Sequence, residues 1–163
     1  MRISICAVGR ARDHPAADIC QTYLQRLPWP VKIREVEVRK NLAGEKLAVG
    51  EAKLLRAAMP DRATVVALDA KGKTLSSEAF AQRLGQWRDD GVADLAFAIG
   101  GANGLHPDLP RAADLILSLG AMTWPHLLAS YARKLVTVIS GGVFDLLDPV
   151  LERHSFDDLG KAA

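Results

Sequence analysis

Five apolar residues, Leu95 to Ile99, run without a break into Gly100 and Gly101. An apolar run this short and continuous is how a strand covered on both faces of a parallel sheet reads. The two glycines can take backbone angles closed to other residues, and with no side chain they let a ligand approach the main chain. A second run, Leu115 to Leu119, ends the same way at Gly120 and leads into Ala121-Met122-Thr123-Trp124-Pro125. Ligands of open α/β sheets sit at the carboxyl ends of strands. Two neighbouring strands, each ending in a glycine loop, therefore outline one pocket. Two tight turns without a ligand would read alike, and the runs by themselves name no ligand.

The rest of the chain alternates in the same manner. Arg2 to Val8 runs apolar into Gly9, as a first strand would. Asp13-His14-Pro15 opens a helix with proline in its first turn, and Pro28-Trp29-Pro30 ends it. Val31 to Val38 alternates, with a change of phase at Arg34-Glu35 that marks either a bulge or an edge strand. A basic loop from Arg39 to Gly44 precedes a long helix from about Glu45 to Met59. Ala63 to Leu68 is a third buried strand, closed by a polar turn, Asp69 to Lys73. Ser76 and Ser77 can cap a helix that carries Phe80, Leu84 and Trp87 on one face. His106-Pro107 begins a short helix, and Pro125 opens a last one. Strands alternating with helices predict an α/β fold, a parallel-dominated sheet with helices on both faces.

Composition narrows the function. The chain has 163 residues, enough for one domain with a core that needs neither disulfide nor metal. Its apolar runs fall far short of a membrane span, and the start Met1-Arg-Ile-Ser-Ile-Cys6 lacks a signal-peptide layout. Cys6 and Cys20 form no Cys-x-x-Cys pair, which fits thiols of a reducing cytoplasm. His14, His106, His126 and His154 have no ligand spacing, so no metal site is expected. Residues 1–60 hold 11 Lys/Arg against 6 Asp/Glu, whereas residues 61–163 hold 10 against 13. A basic first third suits either a solvated surface or a face that meets a phosphate backbone.

Taken together, Val65-Val-Ala-Leu-Asp69, Gly72-Lys73, Ser76-Ser77, Phe97-Ala-Ile-Gly-Gly-Ala-Asn-Gly104 and Leu117-Ser-Leu-Gly-Ala-Met-Thr-Trp-Pro-His126 resemble the small bacterial SPOUT methyltransferases. Those enzymes methylate N3 of a pseudouridine in 23S ribosomal RNA. The start of the chain and the stretch Tyr23-Leu-Gln-Arg26 are similar to that family as well, so the resemblance covers about residues 1–126. It implies a single SPOUT domain over residues 1–163 whose C-terminal part forms a trefoil knot, an exception to the avoidance of threading. It also implies a cytoplasmic homodimer, with S-adenosylmethionine as cofactor and neither metal nor membrane. The implied target is pseudouridine 1915 (rRNA numbering) in helix 69 of 23S rRNA, within the assembled ribosome. Carried over by position, the cofactor contacts are Leu68, Gly100, Gly101, Gly120, Ala121, Met122, Thr123, Trp124 and Pro125. No catalytic residue is assigned. His126 follows the cofactor loop, where capping or packing the last helix is its expected role.

After His126 the resemblance weakens. The family continues with a longer amphipathic helix and ends in a His-Pro-Tyr-His tail with a basic residue. This chain instead has Gly141-Gly142-Val-Phe-Asp-Leu-Leu-Asp-Pro149, and residues 141–163 hold five acidic groups against Arg153 and Lys161. Three readings follow. The chain is a ribosomal RNA methyltransferase; or a cofactor-binding homologue whose altered tail leaves methyl transfer weak or absent; or, on fold class alone, a flavodoxin-like nucleotide binder. The last lacks a Ser/Thr-rich phosphate loop after the first strand, where Gly9-Arg-Ala-Arg-Asp13 stands.

Overall fold

The computed structural model describes residues 1–9, 24–25, 27–39 and 42–120. The Asp13–Pro15 helix start, Cys20, the loop Ala121–Pro125, His126, the last helix, the expected knot and the tail 141–163 lie outside the described residues. Within them, five strands alternate with three helices: β1 (Arg2–Val8), β2 (Val31–Val36), α1 (Gly44–Ala58), β3 (Thr64–Thr74), α2 (Ser77–Asp89), β4 (Asp94–Ile99), α3 (Asp108–Arg111) and β5 (Leu115–Ser118). The strands form one sheet in the order β2-β1-β4-β3-β5, and every pairing is parallel. The expected α/β class holds.

Successive side chains of a strand point to opposite faces, and this sheet sorts them by size. Ile3 and Ile5 of β1, Leu95, Phe97 and Ile99 of β4, and Val66 and Leu68 of β3 share one core with Phe80, Leu84 and Trp87 of α2. Phe80 meets Phe97 edge-on, ring centroids 6.3 Å apart. The opposite face carries Ser4, Cys6, Ala96, Ala98 and Ala67, which are neighbours in the pairing register. Cys6 packs there with Ala52 and Leu55 of α1. Side chains this small let α1 come close, and the Cys6 thiol reaches the Ala58 carbonyl at 3.5 Å.

Local signals explain the ends of α2. The Ser76 hydroxyl accepts the Ala79 amide at 3.1 Å, as expected of a capping serine. At the other end Gly91, at φ +80°, lets its amide reach the Arg88 carbonyl and the Val92 amide reach that of Trp87.

Two strands depart from their sequence patterns. The phase change in β2 is no bulge: the register runs unbroken from Ile3↔Val31 to Val8↔Val36. β2 is an edge strand whose Ile33 packs with the α2-side core and whose Val36 packs with the α1-side cluster. β3 extends beyond Leu68 to Thr74, because the turn Asp69 to Gly72 bulges out and the chain then rejoins β5. Leu117 consequently pairs with Leu68 and again with Lys73. Asp69 caps the bulge by accepting the Lys71 amide at 2.8 Å. Gly72 allows the return, since a Cβ there would stand 2.7 Å from the Ile116 and Leu117 main chain.

Candidate functional site

The carboxyl ends of β3, β4 and β5 lie side by side. Leu68, the last residue of β3 before the bulge, pairs with Ile99 on one side and Leu117 on the other. The glycine loops that follow β4 and β5 thus leave the sheet around Leu68. Of the nine residues expected to hold a cofactor, the structure describes Leu68, Gly100, Gly101 and Gly120, and it brings them to one end of one sheet. Ala121, Met122, Thr123, Trp124 and Pro125 lie outside the described residues.

The loop after β4 doubles back on itself. The Gly104 amide donates to the Gly101 carbonyl at 3.0 Å, and the two glycines form an isolated antiparallel bridge. A Cβ on Gly100 would stand 2.4 Å from the Gly104 carbonyl carbon, so no other residue fits without moving the loop. The space beside Gly101 is also taken: a Cβ there would lie 3.1 Å from Val8 Cγ1 and 3.2 Å from Glu51 Oε1. Gly101 therefore marks where β1, β4 and α1 converge. Burial there pushes the Glu51 carboxyl above its usual range.

The loop after β5 is fixed by a side chain. The Ser118 hydroxyl is buried; it accepts the Gly120 amide at 3.3 Å and donates to the Gly120 carbonyl at 3.3 Å. Gly120 sits at φ +118°, with no atom of the described residues within 4 Å of where a Cβ would stand. The start of the loop is thus fixed in direction by Ser118.

Three residues near this end escaped sequence reasoning. His106 follows the β4 loop and is clasped between α1 and α3, its Nε2 3.3 Å from Glu45 Oε1 and its Nδ1 3.5 Å from Asp108 Oδ2. Nothing in the sequence joins Glu45 to His106, 61 positions away. Glu51 is equally silent, one acidic residue on an amphipathic helix. Ser118 was legible only as one polar residue in an apolar run.

Chemically, this end of the sheet offers main-chain donors and acceptors, apolar side chains and a partly buried carboxyl. Among the described residues no group of three or more His, Cys, Asp or Glu could hold a metal ion. No described helix is long and apolar enough to cross a membrane.

Comparison with known proteins bears on the same region. The family model described as "Predicted SPOUT methyltransferase" matches residues 1–132. "Ribosomal RNA large subunit methyltransferase H" of Rhodospirillum centenum (strain ATCC 51521 / SW) is 56% identical over 128 residues, covering 78% of this chain and 84% of that one. The protein of the same name from Ruegeria sp. (strain TM1040) is 43% identical over 157 residues, covering 88% of this chain and 98% of its own. Among solved structures, TrmJ from Z. mobilis ZM4 superposes with a TM-score of 0.55 at 15% identity, over 98% of this chain and 74% of that one. A probable methylase family protein from Haemophilus influenzae Rd KW20 gives 0.53 at 11% identity, over 98% and 73%. At such identities the structural likeness speaks for the fold alone.

Proposed function

The chain belongs to the SPOUT methyltransferase family, and from that membership we propose that it methylates N3 of pseudouridine 1915 in helix 69 of 23S rRNA. The reaction takes place in the assembled ribosome, with S-adenosylmethionine as methyl donor. One observation carries the reading: the family match over residues 1–132 includes the strand ends that gather Leu68, Gly100, Gly101 and Gly120. The relatives' name, with its large-subunit ribosomal RNA, supports the choice of substrate.

The residues present suit such a donor. Main-chain groups from Gly120 to Thr123 would hydrogen-bond the adenine, while Leu68, Met122 and Trp124 supply apolar walls. None of the described residues fills the space before Gly120, which supports a ligand against the main chain there. S-adenosylmethionine supplies an electrophilic methyl group on a positively charged sulfur. The chain's part is alignment, because an in-line displacement needs donor and acceptor held at contact distance. Ser118 fixes the direction of the adenine loop, and the doubled-back Gly101–Gly104 turn fixes the neighbouring wall. The N3–H proton would pass to solvent at or before attack, and the methyl carbon–sulfur bond would break as the carbon–nitrogen bond forms. A site low in water favours collapse of the imide anion and the sulfonium into neutral products.

We read the chain as one domain over residues 1–163 that works as a cytoplasmic homodimer. The helix expected from Pro125 carries Leu127, Leu128, Tyr131, Leu135, Val136 and Val138. One sheet can cover only one side of it, so a second subunit covers the rest.

A second reading has its own support. The family match ends at residue 132, and the 56% identical relative aligns over 128 residues, so the acidic tail has no counterpart in that match. On this reading the chain binds the cofactor and transfers methyl groups weakly or not at all. Ribosomes from a strain lacking the modification, incubated with the protein and methyl-labelled S-adenosylmethionine, separate the two. Label at N3 of that pseudouridine supports the first, and cofactor binding without label supports the second.

A further inference from the structure

At the opposite end of the sheet, a cavity of about 230 Å³ opens where α1 stops short of the strands' amino ends. It is lined by Arg2 and Ser4 of β1, Lys32 and Arg34 of β2, Asp94 of β4, and by Pro30 and Pro60. The register explains the grouping. Ser4 pairs with Lys32 and Cys6 with Arg34, so both cations stand on the α1 face, on an edge strand.

Two features mark this cavity as more than a solvated surface. The first is charge. Three cations face one carboxylate, and Asp94 is already engaged by Arg2, Nε to Oδ1 at 2.8 Å and Nη2 to Oδ2 at 2.6 Å. Neither Lys32 nor Arg34 has a carboxylate partner among the described residues, and both are exposed. The second feature is Ser4. It is buried to 5% exposure and lines the cavity, yet its hydroxyl has no hydrogen-bond partner among the described residues. A buried hydroxyl without a partner costs free energy. A ligand oxygen in the cavity would relieve that cost.

We propose that Ser4, Lys32 and Arg34 form a binding site for a backbone phosphate of the RNA substrate, remote from the methyl-transfer end. The Ser4 hydroxyl donates to a phosphate oxygen from the floor, and Lys32 and Arg34 neutralise that phosphate and its neighbour from the edge. Pro30 and Pro60 form the walls. An exposed pair of cations two residues apart on an edge strand suits a polyanion that runs past it better than a small anion that must be enclosed. Ser4 is level with Ala96 of β4, four residues before Gly100, so the floor of this site stands about 13 Å along the strands from the glycine loops. A nucleic acid held at both places would cross the sheet from the β2 edge towards the ends of β4 and β3, with Arg39 beyond the far end of β2. The inference rests on the reading that the substrate is RNA, and it names where the backbone is gripped.

The test uses the full chain and unmodified ribosomes, with Lys32→Ala/Arg34→Ala and Ser4→Ala beside wild type. The double variant should raise the KM for ribosomes at least tenfold near physiological salt. It should also flatten the plot of log affinity against log salt by about 1.5, two phosphate contacts' worth. Ser4→Ala should weaken binding several-fold, and Lys32→Arg should restore most of what Lys32→Ala loses. Calorimetry with S-adenosylmethionine, which binds at the other end of the sheet, should match wild type in every variant and so reports folding. An unchanged KM and an unchanged salt slope would overturn the site. Displacement of ribosomes by low-millimolar inorganic phosphate, at matched ionic strength, would also overturn it, because the cavity would then be a site for the free ion. Should wild type transfer no methyl group, co-sedimentation with ribosomes still reads the same variants, so the failure of the proposed function and the failure of this site remain distinguishable.

Discussion

The Ser118 hydroxyl lies 3.3 Å from both the amide nitrogen and the carbonyl oxygen of Gly120. One side chain thus sets the direction in which the chain leaves the sheet. Ser118→Ala would leave the Gly120 amide without its partner and release the loop. Removing such a bond costs about 1 kcal/mol. Affinity for S-adenosylmethionine should fall about five- to tenfold by calorimetry, while the thermal midpoint moves by only a few degrees.

Gly100 should respond differently. A Cβ at this position would collide with the Gly104 main chain, which no rotamer change can relieve. Gly100→Ala should lower the thermal midpoint sharply, at a cost of roughly 2–3 kcal/mol or more. Gly104, at φ +78° with none of the described residues within 4 Å of where a Cβ would stand, should lose only about 1 kcal/mol on the same change. Equal destabilisation by the two alanines, in denaturant titrations, would refute the tight turn.

Cys6 gives a pH signature. Burial pushes its thiol up to about 11, against an ordinary value of 9.0. The folded state favours the neutral thiol, so this contribution to stability is complete below pH 9 and is lost as pH rises towards about 11. Urea midpoints of wild type should fall more steeply over that interval than those of Cys6→Ala. The native thiol should also resist iodoacetamide at pH 8 and react once the chain is unfolded.

Asp94 is the one carboxylate lining the basic cavity. Its pairing with Arg2 holds it below the usual carboxylate range. Asp94→Asn would free Arg2 and leave the cavity more positive. Affinity for ribosomes should rise two- to fivefold at low salt, with the gain shrinking as salt is added. A fall in affinity measured by co-sedimentation would contradict this.

The tail yields a prediction of another kind. Replacing everything after His126 with a family-like helix and a His-Pro-Tyr-His-Arg ending should raise methyl transfer to ribosomes at least tenfold. A misplacement of about 1 Å can cost roughly a hundredfold in rate, and the five acidic groups of residues 141–163 are of the sign that a polyanion repels. Equal rates for the native chain and the chimaera would mean that Arg133, Lys134 or His154 does the work assigned to the missing tail.

Much of this architecture is legible from residue pattern. The continuous run Leu95–Ile99 announces a strand covered on both faces, and the spacing of Phe80, Leu84 and Trp87 announces the helix that covers one of them. The β2 phase change is ambiguous in sequence, because an edge strand serving two different cores and a bulge place apolar residues alike. The β3 bulge hides for another reason. A turn that leaves a strand and a turn that leaves and returns differ only in whether Gly72 meets a neighbouring main chain. Leu68, Gly100 and Gly120 are legible as neighbours at one end of the sheet because each stands where an apolar run stops. Glu51 at Gly101 and Glu45 at His106 are not, since they depend on how α1 lies across the sheet.

How α1 lies is decided by side chains that are scarcely there. Cys6, Ala67, Ala96 and Ala98 act as a thin shim between helix and sheet. A methylene or two added at Ala98, on the sheet face that α1 covers, would lift the helix and draw Glu51 from Gly101 and Glu45 from His106. The sensitivity of the carboxyl-end site to change would then be written largely in the alanines beneath α1, so a screen confined to the glycine loops would miss the positions that set its dimensions.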